Sequence, residues 1–360
     1  MIKLIKPYIS FQEIEKEFQE IFESGYFTRG PYVKTFAERI KEYTKAKHAY
    51  LATSATTALW ACMRLLNIMS GHEVIVSDFS FPATANIVED VGAKPVFADV
   101  SPDTFNMLPE ELEKKITPKT KAVLFVDALG NPSGIHEIKE ICQKHQIPLI
   151  EDAACAMGSS ERDVKCGNIA DLTCFSFHPR KLLTTGEGGA ITTNSDRLSE
   201  LLAVKLAHGS IFHEGKYDFV DFGYNFRLPE LQAVMGIKQI EKLDAIVQSR
   251  NAIRNQFIQE LEPIGFKAQR VSPGVEYNVQ SLVFQVPKRI QRDWLVNKLK
   301  DAGIETTLGT YCLSGTTYYR KRYNNVQPKA WELQNTTITF PCYEGLDVDF
   351  ICNAVRRSLQ

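Results

Sequence analysis

The chain has 360 residues, of which 44% are hydrophobic and 24% are charged. These proportions exclude a disordered tail, a collagen-like repeat and a small disulfide-stapled scaffold, and the length predicts about two domains. The formal net charge is −1, because 42 basic residues balance 43 acidic ones. Without a basic excess, no nucleic-acid partner is expected. No apolar run reaches the ~18 residues of a membrane span, so no membrane partner is expected either.

The eight cysteines are scattered and form no C-x-x-C pair. In a chain of this size they are interpreted as reduced thiols of a cytosolic protein. The N-terminal segment 1–18 has no long apolar stretch, so no signal peptide is predicted. No metal-ligand motif such as H-E-x-x-H is present, and no metal site is predicted.

Continuous apolar runs alternate with helical patterns between residues 49 and 194. Apolar runs of this kind suit strands that are buried on both faces of a parallel sheet. We therefore predict an α/β fold in which polar residues at the carboxyl ends of the strands converge on one crevice. The strands are predicted at 49–54, 73–78, 94–100, 121–129, 147–154 and about 171–177, with helices at 55–68 and 82–92 after the first two.

The pattern changes after residue 194. A helix is predicted at 197–209, and a long amphipathic helical stretch covers 228–261. We place a domain boundary inside this stretch, near 240, so that residues 1–240 form a large domain and residues 241–360 a smaller α/β domain. The smaller domain contains a predicted strand at 281–287, a helix at 292–303, an irregular Thr/Tyr-rich segment and a closing helix.

The segment DLTCFSFHPRKLLTTGEGGAITTN carries the most information about chemistry. A buried strand ends at Ser176, Lys181 follows five residues later, and a glycine-rich turn comes next. Glycine lets the backbone pass close to a bulky planar ligand. A lysine on such a turn can form a Schiff base with a cofactor aldehyde. Taken alone, the segment is also explained by a surface lysine on a loop.

Asp152 ends an otherwise apolar strand in IPLIEDAACAMG. A carboxylate at such a position is costly unless it has a cationic partner. A protonated pyridine nitrogen would be such a partner, and the ion pair would keep the ring able to draw electrons from a carbanion. The alternative is an aspartate that caps the next turn.

Two further motifs lie where strands end. In SATTAL a strand turns into a helix, whose free N–H groups and dipole can bind an anion. Ser54, Thr56 and Ser176 can add hydroxyl groups there, and simple N-capping by Ser54 or Thr53 is the alternative. Phe81 follows a strand in DFSFPATAN and can stack on a flat ring, whereas a core phenylalanine is the alternative.

In this order, the lysine in SFHPRK, the aspartate in EDAA, Ser-x-Thr before a helix and FSFPATAN resemble the DegT/DnrJ/EryC1/StrS family. Members of this family are sugar aminotransferases of fold type I that depend on pyridoxal 5'-phosphate. The resemblance runs from about residue 24 to the end, and it is most specific in FSFHPRKLLTTGEGGAITT and GYNFRLPELQAVMG. It implies a large domain with a mostly parallel central sheet flanked by helices and a smaller C-terminal α/β domain.

The resemblance also implies roles for individual residues. Lys181 matches the family's Schiff-base lysine, which moves protons between cofactor and substrate carbons. Asp152 matches the carboxylate that binds the pyridine nitrogen. Phe81 stands where the family stacks an aromatic side chain on the ring.

Other matches concern the cofactor phosphate and the subunit interface. Ala55, Thr56 and Ser176 match the family's phosphate cradle. Cys155 stands beside the ring oxygen, where many members have Gln or His. Asn225 matches an asparagine that reaches the phosphate of the neighbouring subunit's cofactor. The resemblance therefore implies a homodimer with two sites across its interface.

The implied activity is amino transfer from L-glutamate to a nucleotide-linked sugar that carries a 3-keto or a 4-keto-6-deoxy group. The product would be an amino sugar for a surface polysaccharide or a secondary metabolite. The alternatives are a pyridoxal-phosphate-dependent sugar dehydratase and a non-catalytic regulatory member of the family. Known 3-dehydratases carry histidine in place of the lysine, and a regulator is expected to lose the lysine or the aspartate. Both Lys181 and Asp152 are present, which favours amino transfer.

Overall fold

The structure is a computed structural model that describes residues 1–359. Its strands are β1 (His48–Ala52), β2 (Glu73–Ser77), β3 (Phe79–Ser80), β4 (Lys94–Ala98), β5 (Thr120–Val126), β6 (Leu149–Asp152), β7 (Ser160–Glu161), β8 (Val164–Lys165), β9 (Leu172–Ser176), β10 (Gly189–Thr193), β11 (Ser210–His213), β12 (Lys216–Phe219), β13 (Lys267–Ala268), β14 (Val275–Glu276), β15 (Leu282–Gln285), β16 (Thr307–Leu308), β17 (Tyr311–Cys312) and β18 (Thr337–Phe340). Its α-helices are α1 (Glu15–Ser24), α2 (Pro31–Thr44), α3 (Ala55–Leu65), α4 (Ala83–Asp90), α5 (Pro109–Lys115), α6 (Ile135–Lys144), α7 (Asp196–Lys205), α8 (Glu230–Ile240), α9 (Leu243–Leu261), α10 (Arg292–Asp301), α11 (Thr317–Tyr323), α12 (Pro328–Thr336) and α13 (Val348–Leu359).

Seven strands form the central sheet, in the spatial order β1-β10-β9-β6-β5-β2-β4. The pairs from β9 to β4 are parallel, whereas β10 runs antiparallel to both β1 and β9. Helices cover both faces, because Val74 and Val76 of β2 pack in a cluster with α3 and α4, and Ile75 packs in another with α5 and α6. Burial on both faces explains why these strands are continuous apolar runs. The predicted α/β fold with a mostly parallel sheet is confirmed.

The helical stretch predicted over 228–261 is helical over most of its length but is not one continuous helix. The chain forms two helices, α8 and α9, which are separated at Glu241–Lys242. Helix α9 then belongs to two cores, since Leu243 and Ile246 pack with residues of α2 and β9, while Phe257 packs with β15 and β18. The helix break lies beside the predicted domain boundary, and the boundary itself stays a prediction.

The Thr/Tyr-rich segment, which the sequence indicates to be irregular, contains β16, β17 and α11. Strand β16 joins the four-stranded sheet of the C-terminal part, in the order β13-β15-β18-β16. Strand β17 instead pairs with β3, so that Tyr311 lies opposite Ser80 and Cys312 lies opposite Phe79. Strand β17, from the C-terminal part of the chain, therefore lies at the end of the central sheet.

Asp78, directly after β2, holds this two-stranded ladder in place. Its carboxylate accepts hydrogen bonds from Ser314 N at 2.7 Å, Ser314 Oγ at 2.6 Å and Cys312 Sγ at 3.1 Å. Burial nevertheless raises the pKa of Asp78 to about 6. Buried carboxyl groups in proteins are almost always hydrogen-bonded. The bonds to Asp78 therefore fix the β17 segment at the end of β2, a strand of the central sheet.

The hairpin β11–β12 has no counterpart in the predicted elements. Its two strands pair only with each other in the part of the chain that the structure describes. Phe212, Tyr217 and Phe219 on it are between 61% and 69% exposed. Exposed aromatic side chains in such number are typical of a surface that associates with another. Among residues 1–359, no helix combines the length and the apolarity needed to cross a bilayer.

Candidate active site

A cavity of about 240 Å³ opens at the carboxyl ends of β5 and β6, between the central sheet and the C-terminal part of the chain. Four residues singled out from the sequence line it, namely Phe81, Asp152, Cys155 and Lys181. The C-terminal part contributes Gln280 and the segment around β16 and β17. The position agrees with the general placement of ligands in α/β sheets, beyond the carboxyl ends of the strands.

Asp152 is the last residue of β6 and is buried at the floor of the cavity. Thr84 Oγ1 donates to its Oδ2 at 2.9 Å, and the Ala154 N–H donates to its Oδ1 at 3.2 Å. The Ala154 contact is the turn-capping arrangement named as the alternative above, and it coexists with the position in the cavity. Burial raises the pKa of Asp152, although these hydrogen bonds and the charge of Lys181 act in the opposite direction. The hydrogen-bond donors lower the pKa of Asp152 by less than burial raises it. A cation bound in the cavity would therefore stabilise the charged carboxylate further.

Lys181 lies on the loop after β9, where one buried side chain fixes both adjoining peptide groups. Gln280 Nε2 donates to the Arg180 carbonyl at 2.7 Å, and the Leu182 N–H donates to Gln280 Oε1 at 2.7 Å. The lysine backbone is therefore held by the C-terminal part of the chain. Sequence reasoning missed Gln280, because nothing in YNVQS indicates a partner about a hundred residues earlier.

Cys155 lies next to the lysine amine. Lys181 Nζ donates to Cys155 Sγ at 3.0 Å, and the Cys155 carbonyl accepts from Asn278 Nδ2 at 2.8 Å. Of the eight cysteines, Cys155 is the one that is not buried. Its predicted place beside a ring oxygen stays a prediction, while its contact with the amine is a feature that the sequence did not indicate.

Phe81 follows β3 and is 65% exposed, so it is not a core residue. Its ring centroid lies 6.4 Å from that of Tyr311, which also lines the cavity. An exposed aromatic face at a cavity is available to stack on a planar ligand. Tyr311 was missed from the sequence, because only the β3–β17 pairing brings it there.

The N-terminus of α3 contains two of the predicted phosphate-binding residues. Ser54 caps this helix, since the Thr57 N–H donates to Ser54 Oγ at 3.1 Å. N-capping, the alternative to phosphate binding given above, is therefore the role that the structure shows for the Ser54 hydroxyl. Ala55 and Thr56 begin the helix, and the Thr56 side chain is exposed. The first N–H groups of a helix favour an anion whether or not the cap is made.

Ser176 lies near this helix N-terminus because of strand register. Gly189 pairs with Ala52 on one side and with Ser176 on the other. A Cβ on Gly189 would lie only 2.5 Å from the Ser54 carbonyl carbon, so the turn before α3 packs directly on this glycine. The predicted cradle residues therefore share one edge of the sheet. They do not line the 240 Å³ cavity itself.

Asn225 is exposed and does not line the cavity of its own chain. It lies in the extended segment between β12 and α8. Two residues on, Arg227 has a buried Nη1 without a hydrogen-bond partner in residues 1–359. Burial and the nearby Arg29 lower the pKa of Arg227.

A buried carboxyl pair consists of Asp127, which lines the cavity, and Glu151, which does not. Glu151 Oε2 accepts from Thr173 Oγ1 at 2.6 Å and from the Gly167 N–H at 3.2 Å. Its Oε1 and both oxygens of Asp127 have no donor among the described residues. Burial raises the pKa of both groups, and the charge of Glu151 raises that of Asp127 further. We interpret Asp127 as the protonated member, which donates to Glu151.

Cys166 lies within 4.8 Å of both carboxyl groups, and the three side chains together are of types that can bind a metal. Burial and the two neighbouring carboxyl groups raise the pKa of the Cys166 thiol well above its ordinary value. Metal binding would require loss of that proton. A shared proton is therefore the simpler account of this group.

The substitution Asp127→Asn tests the shared proton. The pKa of Asp127 is raised, so the folded protein keeps a proton that the unfolded chain releases above about pH 4. The wild type therefore loses stability as the pH rises from there towards the raised pKa, whereas the amide does not titrate. We expect the variant to gain stability relative to the wild type between about pH 5 and about pH 8. Free energies of unfolding at the two pH values measure this gain, and an equal pH dependence in both proteins would contradict the interpretation.

A lysine side chain and a buried carboxylate line one cavity, and pyridoxal phosphate carries a group suited to each, an aldehyde for an amine and a ring nitrogen for a carboxylate. The exposed Phe81 lines the same cavity, whereas the helix N-terminus beside Ser176 lies outside its lining. Fold and site together define an enzyme that depends on pyridoxal phosphate.

The chain belongs to the DegT/DnrJ/EryC1/StrS aminotransferase family, whose model matches residues 9–356. It is 30% identical over 366 residues to the GDP-perosamine synthase of Vibrio cholerae, with 99% of this chain and 98% of that protein covered. It is 32% identical over 298 residues to the UDP-2-acetamido-2-deoxy-3-oxo-D-glucuronate aminotransferase of Pseudomonas aeruginosa, with 82% and 81% covered. The solved PLP-form of Spr1654 from Streptococcus pneumoniae has a TM-score of 0.92 and 26% identity, covering 100% of both chains. The predicted family, activity class and cofactor are confirmed.

Proposed function

We propose that the enzyme transfers an amino group from an amino acid to a nucleotide-linked keto sugar, with pyridoxal phosphate held between Lys181 and Asp152. The observation that carries the proposal is that these two side chains line one cavity and that the lysine charge acts on the buried carboxylate. When bound, the cofactor supplies an aldehyde that takes up the amino group and a cationic ring that draws electrons from the neighbouring carbon.

In this proposal each side chain has one task. Lys181, whose backbone Gln280 holds, would move a proton between the substrate carbon and the aldehyde carbon of the cofactor, on either side of the transferred nitrogen. Asp152 holds a proton on the ring nitrogen, and Thr84 keeps the carboxylate oriented. Phe81 stacks on the ring. The N-terminus of α3 and Ser176 bind the phosphate.

The acceptor class rests on the relatives, since both curated ones are named for nucleotide-linked sugars. We assign a 3-keto or a 4-keto-6-deoxy sugar as acceptor and L-glutamate as donor, in the biosynthesis of an amino sugar for a surface polysaccharide or a secondary metabolite. The presence of Lys181 favours amino transfer over dehydration. The eight unpaired cysteines favour a reducing compartment, the cytoplasm.

A panel of GDP-, UDP- and dTDP-linked 3-keto and 4-keto sugars, each with L-glutamate, tests the proposal. We expect one sugar to be aminated and the kinetics to be ping-pong, because the donor leaves before the acceptor binds. The cofactor absorbance follows each half-reaction separately. A half-reaction with glutamate that no nucleotide sugar completes would reject the acceptor class, and elimination of water from a sugar would favour the dehydratase.

We further propose a homodimer in which Asn225 of one subunit reaches the cofactor phosphate of the other. Asn225 is exposed and lies outside the cavity of its own chain, which supports this role. The hairpin β11–β12 presents Phe212, Tyr217 and Phe219 to the surface close by in sequence. Association of two copies would cover this aromatic surface.

Complementation between two inactive variants tests the shared site. In the proposed dimer, each site combines Lys181 of one subunit with Asn225 of the other. A mixed dimer of Lys181→Ala and Asn225→Ala chains therefore has one site without either residue and one site with both. We expect an equimolar, randomly reassociated mixture to regain about one quarter of the wild-type activity, since half of the dimers are mixed and each has one intact site. Activity no greater than the average of the two separate variants would show that Asn225 does not serve the partner's site.

A further inference from the structure

The thiol of Cys155 and the amine of Lys181 are in contact, and hydrogen bonds fix the backbone that carries each of them. Their reacting atoms, Sγ and Nζ, lie 3.0 Å apart. One short segment, 278–280, holds both loops. Asn278 Nδ2 donates to the Cys155 carbonyl at 2.8 Å, and Gln280 bonds to the peptide groups on either side of Lys181 at 2.7 Å each.

Small molecules can reach this pair. Both side chains line the cavity at the end of the central sheet, and neither residue is fully buried. The other seven cysteines are buried, so Cys155 is the thiol that a dissolved oxidant meets first. Cys155 is therefore the cysteine that is accessible and that also lies within hydrogen-bond distance of an amine.

We propose that Cys155 and Lys181 form a reversible sulfur–nitrogen bond when the cofactor-free chain meets hydrogen peroxide. The Cys155 sulfur attacks a peroxide oxygen, so that an S–O bond forms, the O–O bond breaks and one water leaves. The Lys181 amine, after its ammonium proton has passed to water, then attacks this sulfur, so that an S–N bond forms, the S–O bond breaks and a second water leaves. Sulfur is oxidised by two electrons, one peroxide is reduced to two waters, and the protein loses two hydrogen atoms.

A small dithiol reverses the reaction, because its thiolate attacks the sulfur and releases the amine, and its second thiol then frees Cys155. The consequence for activity rests on the function proposed above, in which Lys181 is the proton-transferring amine. The bond would switch the enzyme off without destroying it. Bound pyridoxal phosphate would protect the chain, since its aldehyde reacts with the same amine.

Peptide mass spectrometry of the full-length chain after peroxide treatment tests the inference. Without pyridoxal phosphate, we expect the peptides containing Cys155 and Lys181 to be joined, with the loss of two hydrogen atoms, and to separate after dithiothreitol. With saturating pyridoxal phosphate, the joined species should be lost. Cys155→Ser should abolish it. In Lys181→Ala, the cysteine should instead advance to the sulfinic acid, because no amine intercepts it.

Two results would overturn the inference. One is a wild-type chain in which Cys155 advances to the sulfinic acid while Lys181 stays unmodified, and the other is an equal yield of the joined species with saturating cofactor. Borohydride reduction without peroxide tests the function separately, through a pyridoxyl adduct on Lys181. An active aminotransferase that never forms the bond refutes this inference alone, whereas a chain that forms the bond but carries no adduct on Lys181 refutes the proposed function alone.

Discussion

Lys181→Ala is expected to lower kcat for amino transfer by about 10³-fold or more, because general acid–base catalysis and the attachment of the cofactor both depend on one amine. The phosphate site proposed at α3 and the carboxylate at Asp152 do not involve this side chain, so the variant should still bind pyridoxal phosphate without a covalent bond. Single-turnover kinetics and the cofactor absorbance measure the two effects separately.

Lys300→Ala is the matched control, because Lys300 is an exposed residue of α10 that does not line the cavity. It should retain wild-type turnover. In the wild type, borohydride reduction should place the pyridoxyl group on Lys181 and on no other lysine. Turnover near the wild-type rate in Lys181→Ala, or an adduct mapped elsewhere, would reject the assignment of Lys181.

Asp152→Asn is expected to lower kcat by about 10²–10³-fold, the size of effect seen when one pre-organised electrostatic partner is removed. The amide has nearly the same shape but cannot hold a positive charge on the ring nitrogen. We expect weaker binding of pyridoxal phosphate as well, because the ion pair is made only in the loaded enzyme. Titration of the apoprotein with the cofactor and steady-state kinetics provide the two measurements.

The stability of the apoprotein separates this role from a structural one. The pKa of Asp152 is raised in the folded chain, so ionising it costs stability as the pH rises from about 4. Asp152→Asn should therefore be at least as stable as the wild type without cofactor near neutral pH. Thr84→Val removes one donor to the carboxylate and should reduce turnover less than Asp152→Asn does. A variant Asp152→Asn with unchanged turnover and affinity would show that the carboxylate does not serve the ring.

The strands, their parallel arrangement and several site residues could be predicted because the signals are local. An apolar run such as 73–78 is buried on both faces wherever it lies in such a sheet, and β2 covers Glu73–Ser77. Lys181 and Asp152 follow or end such runs, and the geometry of parallel sheets brings the carboxyl ends together. The roles inferred from the family resemblance stay predictions for individual residues.

The remaining features depend on contacts between distant parts of the chain. Thr84 meets Asp152 across 68 positions, and Leu182 meets Gln280 across 98. The aromatic pair of Phe81 and Tyr311 forms because β17 does not join the four-stranded sheet beside it in sequence but pairs with β3. No periodicity or local motif indicates such partners, because each hydrogen bond or ring contact is selected by the packing of two elements. By itself the sequence determined the sheet, the family and the reactive groups, and only the tertiary structure decided what holds those groups, since burial and pairing are properties of the folded chain.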